Sequence, residues 1–322
     1  MTNVQVVGLG MAALDIILRT KDMPRWEGGV RMSAAAIEGG GPVATAVVAV
    51  SRLGVPAGFV GTYGSDRLGQ IKLQTLVENG LDVSRAVQRD APEDQAVLVC
   101  VHAETGERVF SGFEHSRRSP LAIDELDREY ITGAEFLHLD GHHPDAALQA
   151  ARWMHAAGKR VMLDGSATRG PVRPQFKALV AETDVLICGE GFGPALTGQP
   201  FDPTPENLFQ IGERILELGP GIVVQTQGVD GSYTVYRTPG GSVERFHVPA
   251  FQIDVVDTTG AGDVFHGAFL VGLLQGWDLR TVATFSSAVS AIKCTQLSGR
   301  RGIPSFEQTL AFLRERNIYV QA

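Results

Sequence analysis

The chain has 322 residues, of which 44% are apolar and 20% charged, enough for one large soluble α/β domain with a sizeable core. A formal charge of −8, from 28 Lys and Arg against 36 Asp and Glu, argues against nucleic acid or an anionic membrane as the main partner. Cys100, Cys188 and Cys294 show neither metal-ligand nor redox spacing, so no disulfide framework is expected and a reducing compartment fits.

In chain order, Val4 to Val7 is a short β-branched run that ends at Gly8 and reads as a buried strand. The opening MTNVQVVGLG carries no basic segment followed by an apolar one, and no run approaches the ~20 residues that span a bilayer, so a cytoplasmic protein is expected. Residues 14–18 and 30–38 read as extended segments, separated by the turn residues Pro24, Gly28 and Gly29. Pro42 to Leu53 is almost all Ala and Val and is stopped by Gly54, the pattern of a buried helix with a glycine past its end. Phe59 to Gly61 is a short strand. Val97–Val101 and Arg108–Phe113 flank a Glu104-Thr105-Gly106-Glu107 turn and predict a hairpin.

Strands then alternate with helices. The predicted strands are Phe136–Leu139, Arg160–Leu163, Val185–Cys188 and Ile222–Thr226, and the helices between them cover about 145–157, 174–181 and 204–217. A hairpin at about 231–247, two long helices after Gly262 and a last one at about 305–316 complete the chain. This order implies a doubly wound, mainly parallel sheet covered by helices on both faces. The early extended segments and the 97–113 hairpin break the alternation. They are expected to form a small β-sheet lid from roughly residues 12–38 and 94–115 of the single domain. A lid sheet has exposed edges, so a homodimer through it is expected.

The chemistry concentrates in residues 254–270, DVVDTTGAGDVFHGAFL. A strand ends near Val256, and Thr258 to Gly262 form a small-residue turn into an apolar helix. Gly and Ala let the backbone approach an anion, and the helix start turns free N–H groups and a positive dipole end toward it. Asp263 falls in the first helical turn, beside any phosphate held there. It either caps the helix or takes a proton from an attacking hydroxyl.

Asp257-Thr258-Thr259-Gly260-Ala261-Gly262-Asp263, followed by Gly267-Ala268, resembles the C-terminal signature of the ribokinase-like (PfkB) carbohydrate kinases. Gly40-Gly41 with Arg52-Leu53-Gly54 resembles the N-terminal signature of that family, and Thr226-x-Gly228-x-x-Gly231 its nucleotide-binding turn. The likeness runs from about residue 4 to 304. It implies a ribokinase-like fold and ATP-dependent phosphorylation of a sugar hydroxyl. Asp263 would be the base and Gly260, Ala261 and Gly262 the anion hole. Sugar contacts would come from Asp15, Gly40, Gly41 and Thr45, and nucleotide contacts from Thr226, Gly228 and Gly231. ATP and Mg²⁺ are the implied cofactors, and Asp257 and Thr259, with the backbone near Arg300 to Ile303, correspond to a site for a monovalent cation, K⁺. Gly39-Gly40-Gly41-Pro42, the DVVDTTGAGDVFHGA run and Lys293-Cys294-Thr295 are most similar to the sulfofructose kinase branch. The segments expected to line its pocket, however, carry little basic or amide character for gripping a sulfonate.

The chain departs from the family pattern in two places. Thr45 stands where Asn is frequent, and Cys188-Gly189-Glu190-Gly191-Phe192 replaces an Asn-x-x-Glu pattern tied to magnesium and phosphate, leaving Glu190 as the nearby carboxylate. Gly8-x-Gly10-x-x-Ala13 matches a dinucleotide fingerprint, but the extended Asp15-Ile16-Ile17 that follows denies it the helix it needs. His138, His142 and His143 surround Asp140 at a strand end, where a loop touching substrate, with His142 reaching it, is favoured over a metal cluster. His266 shares a helix face with Asp263, or packs there. Asp164 is equally a holder of magnesium-bound water or a helix cap. His115, Arg117 and Arg118 form a solvated cluster or reach an acidic group on the substrate. Two other functions remain open: a nucleoside kinase of the same fold, with Trp26, Phe110 and Phe113 as aromatic candidates, and a non-catalytic sensor of sugar or nucleotide.

Overall fold

The computed structural model describes residues 4–23, 26–113, 120–166, 170–202 and 204–320. Pro24, His115, Arg117, Arg118 and Arg169 lie outside the described residues. The elements run β1 (Val6–Leu9), β2 (Ala13–Thr20), β3 (Met32–Gly40), α1 (Pro42–Arg52), β4 (Ala57–Val60), β5 (Thr62–Gly64) and α2 (Arg67–Val77). Next come β6 (Val87–Arg89), β7 (Ala96–His102), β8 (Arg108–Gly112), α3 (Arg128–Thr132), β9 (Phe136–Leu139), α4 (Pro144–Ala156), β10 (Arg160–Gly165), α5 (Pro174–Ala181) and β11 (Val185–Cys188). The chain continues with α6 (Phe192–Thr197), α7 (Pro205–Leu216), β12 (Ile222–Thr226), β13 (Ser232–Arg237), β14 (Val243–Val248), α8 (Ala261–Leu274), α9 (Leu279–Cys294) and α10 (Phe306–Arg314).

Eight strands form the main sheet in the order β14-β13-β12-β11-β10-β9-β1-β4, parallel except for the last hairpin, β13 and β14. Successive side chains leave a strand on opposite faces, and the cores follow that alternation. Val6, Phe136, Met162, Ile187 and Val224 pack under α1, α8 and α9, while Val7, Leu137, Leu163, Leu186 and Val223 pack under α4 and α7. From β1 the chain goes through α1 to β4 on one side, and later to β9 on the other. The crevice beyond the carboxyl ends of β1 and β9 is therefore the switch point at which open α/β sheets bind ligands.

A second sheet, ordered β3-β2-β7-β8, is inserted at that edge. Its strands lie within a residue or two of the segments expected to stand apart from the alternation. The 62–93 stretch, unassigned from sequence, holds α2 and the β5–β6 pair. Asp66 starts α2 by accepting from Gly69 N (3.0 Å), a helix cap beside a sequence whose apolar positions are too few to announce it. No helix among the described residues is long and apolar enough to cross a membrane.

Two helices set the geometry of the site. α1 begins at Gly41 and α8 at Gly260, and both glycines have the positive φ (93° and 72°) that side-chain-bearing residues avoid. The helices touch where Gly267 meets α1: a Cβ there would collide with Ala46 O and come within 2.8 Å of Ala49 Cβ. The glycine thus fixes the distance between the two helix starts. Gly267→Val is expected to destabilise the protein by about 1–3 kcal/mol through overpacking, measured by urea unfolding.

Candidate active site

Three consecutive glycines end β3 and open α1, each answering to a group of the protein itself. A Cβ on Gly39 would collide with the Arg300 guanidinium, one on Gly40 with the Asp15 carboxylate, and one on Gly41 with Met11 O (2.6 Å). What approaches these glycines in this structure is the protein itself, Arg300 at Gly39 and Asp15 at Gly40. Asp15 sits on β2 opposite Glu38 of β3, is 7% exposed, and has its pKa pushed up to about 6 by burial against the pull of Arg300.

Arg300 is the side chain that the sequence did not announce. It is fully buried, donating from Nη2 to Gly40 O (2.6 Å), from Nε to Thr45 Oγ1 (3.1 Å) and from Nη1 to Thr75 Oγ1 (3.3 Å). Burial lowers its pKa to about 10, while Asp15 and Asp263 pull it back up. Thr45, expected among the sugar contacts, is buried with its hydroxyl accepting from Arg300. Its neighbour Arg301 is exposed and pairs with Glu38, so nothing local in Gly299-Arg300-Arg301-Gly302 says which arginine turns inward.

The turn Gly260-Ala261-Gly262 starts α8, with Asp263 in its first turn as expected. Gly262 is exposed and has open space beyond its Cα, so the backbone there is accessible. Asp263 is half-buried, and desolvation pushes its pKa to about 7. Arg300 and Lys293 oppose that rise, and Asp15 and Asp140 add to it. Asp164, at the end of β10, is buried and held well above the usual carboxylate range by burial and then by Asp263 and Asp140. His266 turns inward from α8, with Nδ1 3.5 Å from Asp164 Oδ2 and its ring edge-on to His138 (5.6 Å between centroids). Burial and His138 keep its pKa well below the usual range, so it sits neutral behind Asp164.

Asp140 closes the floor at the switch point. It accepts from Met11 N (2.8 Å) and His142 N (2.8 Å), and Gly10 is glycine because a Cβ would meet Asp140 Oδ1 at 2.5 Å. Met11, Pro42, Asp140, His142, Ser166 and Arg173 line part of a cleft of about 540 Å³. His142 is therefore in the cleft wall, where it pairs with Gln95 (2.8 Å). Gln95 leads back through Glu93 to Lys72, a buried ion pair (2.7 Å) that braces the wall from α2. Among the described residues no group of three His, Cys, Asp or Glu is arranged to hold a metal ion, so the histidines around Asp140 form no such cluster.

The nucleotide candidates lie further along the same edge. Thr226 ends β12, with its hydroxyl donating to Cys188 O (3.3 Å). Gly228 and Gly231 both take positive φ in the short turn to β13. Gly231 has no room for a side chain, because Val248 O and Ala250 N (2.8 Å) crowd it. Glu190 is exposed just beyond β11. Asp257 is buried, its Oδ1 accepting from Thr259 N (2.8 Å) and Thr259 Oγ1 (2.7 Å) and its Oδ2 from Ser298 N (2.8 Å). From the second sheet, Arg108 of β8 donates to the Thr258 hydroxyl, joining the hairpin to the turn before α8.

Arg300→Met would remove the cation that holds the Asp263 pKa down. The acid limb of whatever activity depends on that carboxylate is expected to move to higher pH, as read from a pH–rate profile against the parent protein.

The chain resembles known proteins over nearly its whole length. It is 28% identical over 313 residues to the ATP-dependent ribose-1-phosphate kinase of Halopiger xanaduensis, covering 97% of this chain and 99% of that one. It is also 28% identical over 328 residues to the 5-dehydro-2-deoxygluconokinase of Shouchella clausii, covering 97% and 96%. A crystal structure of a putative ribokinase from Agrobacterium tumefaciens superposes with a TM-score of 0.83 at 28% identity, covering 97% and 98%. The Arabidopsis thaliana ribokinase complexed with ribose and ATP shares the fold, with a TM-score of 0.81 at 24% identity over 98% and 99%. The family description "pfkB family carbohydrate kinase" fits residues 1–305, and by that match the chain belongs to the pfkB family of carbohydrate kinases.

Proposed function

We propose that this kinase transfers the γ-phosphoryl group of ATP to a hydroxyl of a small sugar or sugar derivative, and that Asp263 takes the hydroxyl proton. The carrying observation is one carboxylate in the first turn of α8, beside an accessible glycine-lined helix start, with its pKa raised to about 7. A base works best when its pKa lies near the working pH, and desolvation puts Asp263 there. The relatives named above support an acceptor of this kind, since both are kinases named for sugar-derived substrates.

In this reading the sugar lies between the carboxyl edge of the main sheet and the second sheet. Asp15 and Asp140 accept its hydroxyls, Gly40 and Gly41 let it approach, and His142 touches its far end. Thr45 acts through Arg300. The nucleotide base lies against Thr226, Gly228 and Gly231, and the backbone N–H groups of Gly260, Ala261 and Gly262 receive the transferring phosphoryl group. Asp164 and Glu190 are the carboxylates placed to hold the water shell of Mg²⁺. The buried Asp164–Asp263 repulsion fits a site that accepts a cation. Bound Mg²⁺ would neutralise charge between the phosphates. Asp263 orients the attacking hydroxyl and holds the proton it gives up, while Arg300 keeps Asp263 ionised.

The second sheet serves as the lid over the sugar, which limits water and therefore ATP hydrolysis. The Arg108–Thr258 hydrogen bond already ties it to the phosphate side. Its other face carries Ile16, Leu18, Ile37, Leu98 and Val109, brought together by cross-strand pairing, and Ile37 and Val109 are 58% and 49% exposed. An apolar sheet face of that kind suits a second copy of the chain, and a homodimer follows. Three buried free cysteines suit the reducing cytoplasm.

Three measurements test this reading. Asp263→Asn is expected to lower kcat by at least ~100-fold while calorimetry still finds ATP binding, and near-normal turnover would refute the base assignment. The kcat/KM of the parent enzyme should rise with pH through the region of about 7, because a raised carboxylate pKa leaves the base protonated below it. Ile37→Glu should convert a dimer into a monomer in sedimentation velocity. A coupled screen of ketoses, aldoses, sugar acids, sugar phosphates and nucleosides identifies the acceptor. Ligand binding without ADP release across that whole panel would point to a sensor.

A further inference from the structure

The resemblance places a monovalent cation at Asp257 and Thr259 with the backbone near Arg300 to Ile303, and the groups at that position do not suit one: Arg52 Nη1 already donates to Arg300 O (2.7 Å) and Ile303 O (3.3 Å). Asp257 is fully buried and both its carboxylate oxygens are engaged: Oδ1 accepts two hydrogen bonds from Thr259, and Oδ2 accepts one from Ser298 N. To deliver that N–H, Ser298 adopts φ 88°, a conformation that a non-glycine residue adopts only when its surroundings enforce it. A site for a monovalent cation needs oxygen atoms turned inward and free. Here N–H and O–H groups of the chain itself already take three of the roughly four acceptor directions of the carboxylate.

A charge is nevertheless present. Lys293, near the end of α9, is 0% exposed and donates from Nζ to Asp257 O (2.8 Å). It lies close enough to Asp263 for the two to affect one another's ionisation. A buried ammonium persists only beside groups that repay its lost hydration, and Asp257 and Asp263 are those groups. The backbone around it is tightly packed: Gly302 is glycine because a Cβ would collide with the main-chain Lys293 O, and Cys294 O accepts from Val256 N (2.8 Å) and Asp257 N (3.2 Å). The end of α9 is thereby stitched to the segment that leads into the anion turn, which is irregular where the sequence predicted a strand.

We propose that the Lys293 ammonium is the built-in monovalent cation of this enzyme, fixing Asp257 and the Gly260–Gly262 turn, so that catalysis needs no K⁺. The proposal rests on the kinase reading above in assigning that turn to phosphate. A lysine confers this permanently and independently of the salt around the protein, whereas a bound ion would make turnover follow its concentration. Lys293 is a positioning residue here. It holds the backbone that receives the phosphoryl group and touches no reacting atom.

The test uses two readouts. The first is the melting temperature in KCl, NaCl and tetramethylammonium chloride at equal ionic strength, which requires no substrate. The parent protein should melt at the same temperature in all three, whereas Lys293→Ala, having opened a space for an ion, should be stabilised by KCl over tetramethylammonium. The second is ADP release with ATP and whichever sugar the screen identifies. The parent rate should agree within about twofold with and without K⁺, the range of ordinary screening effects. Lys293→Ala should lose ~10–100-fold in tetramethylammonium, the loss typical of a misplaced anion hole, and recover a large part of it in K⁺. A parent enzyme that requires K⁺ overturns the proposal, as does a folded Lys293→Ala protein that is fully active in tetramethylammonium or is rescued by no small cation. If Lys293→Ala does not fold, the salt response of the parent still decides. If no sugar is phosphorylated, the kinase reading fails, and the melting experiment still tests the Lys293 site.

Discussion

The centre of this molecule is a balance of buried charge. Asp15, Asp140, Asp164 and Asp263 converge from β2, β9, β10 and α8 at the carboxyl edge of one sheet, and ionised together they would repel strongly. Arg300 and Lys293 offset that repulsion from loops and helices that are distant in sequence. The result is a set of carboxyls with raised proton affinities beside two cations that cannot leave. Buried polar clusters of this kind contribute little net stability, and they are where a protein tunes proton affinity.

The glycines of the chain follow from that balance. Gly10 admits Asp140, Gly39 admits Arg300 and Gly40 admits Asp15. Each would be a collision with any side chain, so the backbone is thinned at the points where charged groups must enter. Gly267 does the same for helix against helix, so that the two helix starts are held at a fixed separation. Packing and electrostatics are thus one problem here, because a shift of α8 against α1 would move the proposed base relative to the groups that set its pKa.

In the proposed reading the second sheet is the lid. It reaches the main body through Asp15 and the glycines on one side and through Arg108 on Thr258 on the other. One face buries Ile17, Val99 and Val101 in a small apolar cluster with Leu297, and the other presents Ile37 and Val109 among the exposed apolar residues. A lid that also pairs two copies would couple closure to assembly, since both depend on the same four strands.

The sequence by itself determined the elements whose patterns are local. Periodicity and turn residues gave the strands of the main sheet, several of them to the residue, and the helices between them. The DTTGAGD run marked where a helix starts with a carboxylate in its first turn, because that signal is contiguous and its geometry is short-range. The capped helix α2 passed unnoticed, since a single Asp–Gly hydrogen bond starts it and half its surface is polar. Only the tertiary structure decided which charges meet. Arg300 and Arg301 are neighbours with the same chemistry, yet one is buried between Asp15 and Asp263 and the other faces solvent. Lys293 stands in the last turn of α9, and nothing near it in the chain tells that Asp257, 36 residues earlier, accepts from it. Burial and long-range pairing set those outcomes, and neither is carried by any stretch short enough to read along the chain.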